Sequence, residues 1–406
     1  VYPELFSALE ARRESLSKDP AAAKIFLDSS GHAWPVGHIL KQADLAKTLR
    51  TIASRGANEF YEGKTGKSIS RFVKLKGGLI TEKDLRNYKV HFRKPVTGKY
   101  AGYDVYSMPP PSSGGVHVLQ FLKMLEQDHL AQAGFLSARS IHVAASALQS
   151  AFIDRAKYLG DPDFVNVPVA GLIDSAYTTK RRAQFANDRA LKADEVKAGI
   201  PEGASGAVIK KPEEPSETTH FSMMDAEGNA ISSTQTVNGW MGAAIVVPGT
   251  GILLNNEMDD FSAKTGTQNM FGAVGGEPNA IQPGKTPLSS MSPTILVKDG
   301  ISQLVVGAPG GTRIISCVAQ TILNVVEFKL PLESAVSTIR YHHQWQPDQL
   351  VIDPPGPAPD VLQSLKEMGY KVEIKPVGCK VMAVVRDGSM LRAVSDPRDI
   401  GTAWTQ

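Results

Sequence analysis

The residues with the clearest chemical potential lie near the middle of the chain, where Glu217 is followed by Thr218 and Thr219. Residues 191–217 are charged, rich in Pro and Gly and poor in large apolar side chains. Such a segment cannot bury enough surface to offset its ordering entropy, so it predicts an exposed linker. The residues from Thr218 onward are β-branched, aromatic or apolar and predict a strand. A hydroxyl side chain therefore stands where a linker meets a strand.

Two interpretations of Thr218 are open. It could simply begin an edge strand, since Thr has high β-propensity, and this pair of threonines alone favours that interpretation. Alternatively, cleavage between Glu217 and Thr218 would release a residue that carries both a nucleophilic hydroxyl and, in its own α-amine, the base that activates it. His220 has the same side-chain parity as Thr218 on a strand and is a weaker candidate for that base. No Gly-x-Ser-x-Gly elbow occurs in the sequence.

Gly310 and Gly311 are the candidate oxyanion donors. They follow an expected strand at 303–307 and precede a helical run that starts at Ile314. Unhindered backbone N–H groups at a helix N-terminus suit a developing oxyanion. An ordinary Gly-rich turn is the simpler interpretation of these two residues alone. A phosphate loop is disfavoured, because no Lys-Ser or Lys-Thr pair follows the glycines.

Two further clusters could suggest a metal site. Residues 255–260 contain Glu257, Asp259 and Asp260, which usually indicates a solvated acidic loop; the ligand spacing of a calcium loop is not met. His342 and His343 are adjacent, so on a strand they face opposite ways, and no Cys or His partner spacing accompanies them. We therefore predict no metal site and a packing role for the histidine pair.

Composition indicates a chain that can bury a substantial core, is too long for one small domain and lacks a nucleic-acid surface. The chain has 406 residues, 42% apolar side chains and a net charge of +3. Its basic residues are scattered, without a long stripe of Lys and Arg interleaved with aromatics, which argues against a nucleic-acid partner. The densest basic cluster, at residues 180–182, predicts a solvated helix end.

Two cysteines, Cys317 and Cys379, exclude a disulfide framework but leave one bridge possible. Cys317 lies in the apolar run 314–326, where we expect a buried, inert thiol. No apolar stretch reaches the length needed to span a bilayer, and the first residues show no signal-peptide pattern. A signal peptide that has been removed from the chain stays possible.

The elements that must position these residues can be predicted from periodicity. Helical spacing occurs at 44–52, 116–126 and 139–158, and one strand is expected at 98–108. After the linker, hairpins are expected at 218–237 and 294–307, helices at 314–327 and 359–368, and then short strands. Two central sheets covered by helices would satisfy this order.

Long co-linear motifs point to a known family. They are SMPPPSSGG at 107–115, YLGDPDF at 158–164, TTHFS at 218–222, PGTGILLNNEMDDFS at 248–262, PLSSMSPT at 287–294, PGGTR at 309–313 and HHQW at 342–345. Through them nearly the whole chain resembles the γ-glutamyltransferase family of N-terminal nucleophile hydrolases. The resemblance implies an α+β fold, a four-layer α/β/β/α sandwich. It also implies that residues 1–217 are part of a large subunit and residues 218–406 a small subunit, together one intertwined catalytic domain.

The resemblance also assigns site roles. Thr218 would be the nucleophile, Thr236 would hydrogen-bond its hydroxyl and assist self-cleavage, and Gly310 and Gly311 would form the oxyanion hole. The remaining assignments concern the bound donor: Glu257 and Asp260 for its α-ammonium, Asn238, Ser289 and Ser290 for its α-carboxylate, and Phe271 as an aromatic gate in a lid at 262–276. Family members also carry an earlier segment with a carboxylate-binding arginine, which nothing here matches, so we expect the sequence to be a fragment.

The implied activity is that of a γ-glutamyltransferase or glutathione hydrolase without a metal or organic cofactor. Its substrates would be γ-glutamyl compounds such as glutathione, with water, amino acids or peptides as acceptors. Two autoprocessed subunits would form a heterodimer, in a periplasmic or secreted location. Alternatives on the same fold are a cephalosporin acylase and a poly-γ-glutamate-processing transpeptidase. A non-catalytic binding module is the alternative from another class.

Overall fold

A computed structural model describes residues 1–204, 218–262 and 276–405. Its helices are α1 Pro3–Ala11, α2 Arg13–Ser17, α3 Pro20–Phe26, α4 Ala43–Arg55, α5 Asn58–Tyr61, α6 Lys64–Leu75, α7 Glu82–Asn87, α8 Gly114–Leu125, α9 Leu130–Ala133, α10 Ala138–Tyr158, α11 Val169–Leu172, α12 Ser175–Arg182, α13 Arg313–Val326, α14 Leu332–Ser337 and α15 Pro359–Glu367. Short 3-10 helices lie at Glu257–Asp260 and Glu277–Asn279.

The strands are β1 Val96–Tyr100, β2 Tyr103–Ser107, β3 Thr219–Met224, β4 Ala230–Gln235, β5 Val246–Val247, β6 Ile252–Leu253, β7 Thr294–Lys298, β8 Ile301–Gly307, β9 Tyr341–His342, β10 Leu350–Ile352, β11 Val372–Ile374, β12 Met382–Asp387 and β13 Met390–Ser395. The chain divides into two compact units. The first comprises Val1–Arg93 and Thr236–Glu257, and the second comprises Lys94–Gln235 and Met258–Gln406.

The first unit packs α1 to α3 around a small apolar core that includes Leu9, Leu16 and Val246. Asp19 connects two of its elements. Its carboxylate caps α3 by accepting from the Ala22 backbone N–H at 2.9 Å, and it also accepts from the Val246 N–H of β5 at 3.3 Å. An N-cap carboxylate satisfies donors that the first helical turn leaves unpaired.

The second unit is built on a six-stranded antiparallel sheet with the order β1-β2-β7-β8-β12-β13. One face carries α8 and α13, and α10 packs on α8; the side chains of these three helices are almost all buried and form the main core with Leu304 and Val306 of β8. Side chains alternate along a strand, so Gly307 faces the opposite side. There a Cβ on Gly307 would meet the His220 ring at 2.1 Å, which places the β3–β4 hairpin on that face.

The predicted helices at 44–52, 116–126 and 139–158 correspond to α4, α8 and α10. The single strand predicted at 98–108 is wrong, because the structure has two strands there. Tyr100 pairs with Tyr103 across Ala101 and Gly102, whose φ angles are +47° and +83°. Two central residues with positive φ form a tight hairpin turn, and an Ala-Gly pair is a weak sequence signal for one.

The predicted solvated helix end at residues 180–182 is also wrong, except for Lys180, which is exposed. Arg181 is only 1% exposed, and its Nε lies 3.3 Å from the buried Asp154 carboxylate on α10. Arg182 donates from two guanidinium nitrogens to Asp128. Burial of an arginine requires a partner, and the partner carboxylates are distant in the sequence, so the charge run alone could not reveal this.

No helix in the described ranges is long and apolar enough to cross a bilayer.

Candidate active site

Thr218 directly precedes β3 and is partly buried, whereas Thr219 is exposed. β3 pairs with β4 from Thr219 opposite Gln235 to Met224 opposite Ala230. The predicted nucleophile therefore lies at the start of a strand that is fixed on the main sheet. Glu217 and the bond that would be cleaved lie outside the described residues.

His220 has both ring nitrogens engaged within the hairpin. Nδ1 lies 2.8 Å from Thr234 Oγ1, and Nε2 lies 3.0 Å from Ser222 Oγ. Burial lowers the pKa of His220 to about 4, so the ring is neutral at physiological pH. The ring also packs on Gly307 of β8. These contacts support a structural role for His220 and disfavour it as the base for Thr218.

Gly310 and Gly311 lie between β8 and α13, as predicted, in what we call the glycine turn, residues 309–313. Their φ angles are +138° and +58°, which L side chains rarely adopt. The Gly310 carbonyl accepts from Arg313 N–H at 3.2 Å, and the Gly311 carbonyl accepts from Ile314 N–H at 3.1 Å. The turn thus leads directly into the first turn of α13, where amide N–H groups attract negative charge.

The cysteines are paired, which corrects the expectation of a buried free thiol. Cys317, on α13, forms a disulfide with Cys379, at a Cα–Cα distance of 6.5 Å and a sequence separation of 62 residues. Both residues are buried. Two cysteines so far apart carry no spacing signal, so the sequence could only leave the bridge open.

Ser289 and Ser290 are held by the motif at 107–115. Ser289 N–H donates to Pro111 O at 2.9 Å, and Ser113 donates to Ser289 O from both its N–H, at 2.9 Å, and its hydroxyl, at 2.8 Å. Ser112 Oγ donates to Met291 O at 2.7 Å. Two motifs that are about 180 residues apart in the sequence are therefore side by side.

Arg155 contacts the predicted site and was not among the residues expected there from the sequence. It lies on α10 and is 3% exposed. Its Nη2 donates to Ser290 Oγ at 3.1 Å, and its Nε donates to Ser113 Oγ at 2.9 Å. A cation thus contacts the hydroxyl of Ser290, one of the two serines predicted to bind the donor carboxylate. The only signal in the sequence was a charged pair, residues 154–155, within a helix otherwise rich in small and apolar residues.

Asp260 is buried and is linked to the serine pair through Asn279, which the sequence analysis also missed. Asn279 Nδ2 donates to Asp260 O at 2.8 Å, and Asn279 Oδ1 accepts from Leu288 N–H at 2.9 Å. Leu288 immediately precedes Ser289. In the second unit the predicted ammonium and carboxylate ligands are therefore joined by one side chain.

Thr236, Asn238 and Glu257 belong to the first unit. Thr236 follows the last residue of β4, and its Oγ1 accepts from Asn238 N–H at 2.8 Å. Asn238 has φ +75° and donates from Nδ2 to Asn256 O at 3.0 Å. Burial raises the pKa of Glu257 to about 7. Phe271 and most of the predicted lid lie outside the described residues.

The histidine pair packs, as predicted. His342 Nδ1 lies 2.7 Å from Ser316 Oγ, and His343 Nε2 lies 3.4 Å from the Asp348 carboxylate. Burial keeps the pKa of His342 at about 3, so its ring is a neutral hydrogen-bonding group. Within the part of the chain that the structure describes, no group of three or more His, Cys, Asp or Glu side chains is arranged to hold a metal ion.

The sequence profile described as "Gamma-glutamyltranspeptidase" matches residues 1–405. The chain is 44% identical over 379 residues to the glutathione hydrolase proenzyme of Escherichia coli (strain K12), covering 93% of this chain and 64% of that protein. It is 36% identical over 396 residues to the Acylase ACY 1 proenzyme of Pseudomonas sp. (strain V22), covering 97% of this chain and 66% of that protein. The chain thus spans just under two thirds of the length of these curated relatives.

A solved structure matches the fold over the whole chain. It is the crystal structure of cephalosporin acylase from Bacillus halodurans, with a TM-score of 0.84 and 24% identity, covering 100% of this chain and 71% of that one. At this identity the match concerns the fold alone. The predicted α+β fold is confirmed.

Proposed function

Because the chain belongs to the gamma-glutamyltranspeptidase family, we propose that it is a γ-glutamyltransferase with glutathione hydrolase activity. One observation carries the proposal beyond family membership. The strand that begins after Thr218 packs on the strand that leads into the glycine turn, with His220 against Gly307. Thr218 and the turn that holds Gly310 and Gly311 therefore lie at the ends of two packed strands, which supports their proposed roles as nucleophile and oxyanion donors.

The proposed reaction proceeds in two acyl-transfer steps. Thr218 Oγ attacks the γ-carbonyl of a γ-glutamyl amide while its free α-amine takes the hydroxyl proton. The backbone N–H groups of Gly310 and Gly311 stabilise the oxyanion, and Thr236 orients the hydroxyl. The protonated amine returns its proton to the leaving amine, and a γ-glutamyl-Thr218 ester remains. Water or an acceptor amino acid or peptide then attacks the ester and restores Thr218.

Donor recognition is proposed to use charge on both sides of the amino-acid head group. Glu257 and Asp260 hold the α-ammonium, because a desolvated cation needs a paired anion. Asn238, Ser289 and Ser290 hold the α-carboxylate. Arg155 behind Ser290 supports this assignment, since a nearby cation favours a bound carboxylate.

The mature protein is proposed to contain two subunits produced by cleavage between Glu217 and Thr218, with residues 1–217 in one and 218–406 in the other. The two together form one catalytic domain. A periplasmic or secreted location is proposed from the family, and the Cys317–Cys379 disulfide supports it, because disulfides persist mainly in oxidising compartments.

The second candidate is an acylase whose substrate has an acyl group without an α-amino group, because one relative at 36% identity is named an acylase. The arrangement of Asp260, Asn279, Ser289, Ser290 and Arg155 favours the amino-acid donor instead. An acyl group without an α-ammonium would leave the buried Asp260 carboxylate with nothing to bind in the substrate.

The purified protein should be compared on two chromogenic anilides, γ-glutamyl and glutaryl, which differ only in the α-amine. We expect the γ-glutamyl anilide to be strongly preferred in kcat/KM, and Asp260→Asn to remove most of that preference. Preference for the glutaryl anilide would indicate an acylase. Binding of the γ-glutamyl compound without turnover would indicate a binding module.

A further inference from the structure

Residues 376–381, which lie in the connection between β11 and β12, form a wall against the glycine turn. A Cβ on Gly310 would lie 2.8 Å from Cys379 Cβ and 2.9 Å from Cys379 Cα. Lys380 N–H also donates to Pro309 O at 3.4 Å. The backbone of this loop therefore occupies the space beside Gly310 and sets how far the turn can move in that direction.

A buried cluster of charged residues anchors the loop at alternate positions. The three bonds are Asp353 Oδ1 accepting from Val377 N–H at 2.7 Å, Arg340 Nη1 donating to Cys379 O at 3.0 Å, and Asp396 Oδ2 accepting from Val381 N–H at 2.9 Å. Every second residue of the loop is thus fixed by a charged side chain. Hydrogen bonds to charged groups are stronger than neutral ones.

The cluster is itself internally paired. Arg340 Nη2 lies 2.6 Å from Asp396 Oδ2, with both side chains at most 1% exposed. Arg398 completes it, at 2.9 Å from Asp396 Oδ1 and 3.5 Å from Asp353 Oδ2. A buried ion pair holds its geometry tightly, because separating the charges in a poorly solvated interior is costly. The charged cluster therefore fixes the backbone position of Cys379.

The disulfide links this wall covalently to α13, on the other side of the glycine turn. Cys379 lies beside Gly310, while Cys317 lies in the second turn of α13, the helix that the glycine turn begins. The bridge therefore joins the wall on one side of the turn to the helix on the other. The helix end can neither slide nor rotate away from the wall without straining a covalent bond.

We propose that the Cys317–Cys379 bridge and the loop 376–381 are positioning elements for the oxyanion donors Gly310 and Gly311. This inference rests on the proposed function. Neither cysteine touches the substrate; both act through the turn. Oxyanion donors work only at short, defined distances, and a misplacement of about 1 Å can cost about 10²-fold in rate.

A purely stabilising bridge would behave differently in kinetics. An oxyanion contact is made in the transition state and not in the bound substrate, so its loss lowers kcat and leaves KM nearly unchanged. A bridge that only stabilises the fold would lower the melting temperature without changing kcat of the protein that stays folded. Separate measurement of kcat and KM therefore distinguishes a positioning bridge from a bridge that only stabilises the fold.

The test compares Cys317→Ala/Cys379→Ala with the control Leu365→Ala, both assayed well below their melting temperatures on the γ-glutamyl anilide. Leu365 is buried in the same core, on α15, which packs on α10 and β11. We expect the double variant to lose about tenfold or more in kcat, with KM within about twofold. Leu365→Ala should lose stability but keep kcat.

An unchanged kcat in the double variant, or two free thiols in the freshly unfolded unaltered protein, would overturn the inference and leave the proposed function standing. Inactive unaltered protein would overturn both. If the double variant does not fold, Arg340→Lys replaces it, since lysine keeps the charge beside Asp396 but lacks the second nitrogen that reaches Cys379 O. A kcat equal to that of the unaltered protein would then contradict the proposal.

Discussion

At the scale of single residues, Thr218 and Thr219 differ in position and should differ in effect. Thr218 is partly buried just before β3, whereas Thr219 is exposed and paired with Gln235. Thr218→Ala removes the hydroxyl and should abolish both self-cleavage and anilide hydrolysis. Thr219→Ala should keep both within about threefold, because exposed substitutions usually change stability little. Electrophoresis and anilide release check both; an inactive, uncleaved Thr219→Ala protein would place the nucleophile one residue later.

Glu257 gives a prediction for pH. Burial raises its pKa to about 7 from the usual value of 4.5, so the folded protein holds this proton more tightly than the unfolded chain does. The stability that protonated Glu257 contributes to the fold is therefore fully present below about pH 4.5 and is lost as the pH rises to about 7. Affinity for the donor should have the opposite pH dependence and rise with pH, because only ionised Glu257 attracts an α-ammonium.

We accordingly expect KM for the γ-glutamyl anilide to fall as the pH rises through about 7, and Glu257→Gln to flatten that dependence. KM measured between about pH 6 and pH 8 tests this, with the glutaryl anilide as the control substrate. A pH dependence that persists in the Gln variant would assign it to another group.

Single residues were predictable where a motif carried them and unpredictable where only folding brings them together. Thr218, Gly310 and Gly311 occupy the strand start and the turn that the sequence indicated. Arg155 and Asn279 were missed, since an arginine in a helix and an asparagine in a loop gain meaning only from neighbours about 135 and 19 residues away. The disulfide could only be left open for the same reason, because its two cysteines are 62 residues apart.

At the scale of elements, docking of the β3–β4 hairpin on the sheet depends on Gly307. A Cβ there would lie 2.1 to 2.5 Å from three His220 ring atoms. Gly307→Ala should therefore destabilise the protein by about 1–3 kcal/mol, as overpacking usually does, and lower kcat by moving the nucleophile strand. Thermal unfolding and anilide kinetics measure the two effects.

A double-mutant cycle tests the cause. If the clash with His220 is responsible, His220→Ala/Gly307→Ala should be more stable than the sum of the single changes predicts, because the ring that the new methyl meets is gone. Additive effects would mean that Gly307 is needed for a reason other than the His220 ring.

The elements themselves were mostly predictable, and their partners were not. Helical periodicity located α4, α8 and α10, and turn residues located the hairpins β3–β4 and β7–β8. The strand order β1-β2-β7-β8-β12-β13 joins segments from both sides of the linker, and such non-local pairing has no local signal. Arg181 illustrates the limit: its helix was predictable, and its burial against Asp154 was not.

At the scale of the whole molecule, the proposed cleavage at Glu217–Thr218 requires the folded chain. Thr218, the proposed nucleophile, directly precedes β3, while the glycine turn follows β8, more than 80 residues later, so only folding brings them to packed strands. Cleavage should therefore be an intramolecular, first-order process whose rate constant does not depend on protein concentration, and it should be absent in denaturant. Glu217→Ala should still be cleaved, because the attacking group belongs to Thr218.

Mass spectrometry of the mature protein should find a fragment whose first residue is Thr218, and mixing cleaved protein with uncleaved Thr218→Ala protein should leave the variant intact. A cleavage rate constant that rises with protein concentration, or cleavage of the variant in that mixture, would show that cleavage occurs between molecules and not within one chain. An active protein that stays in one piece would remove the free α-amine from the mechanism and with it the base proposed for Thr218.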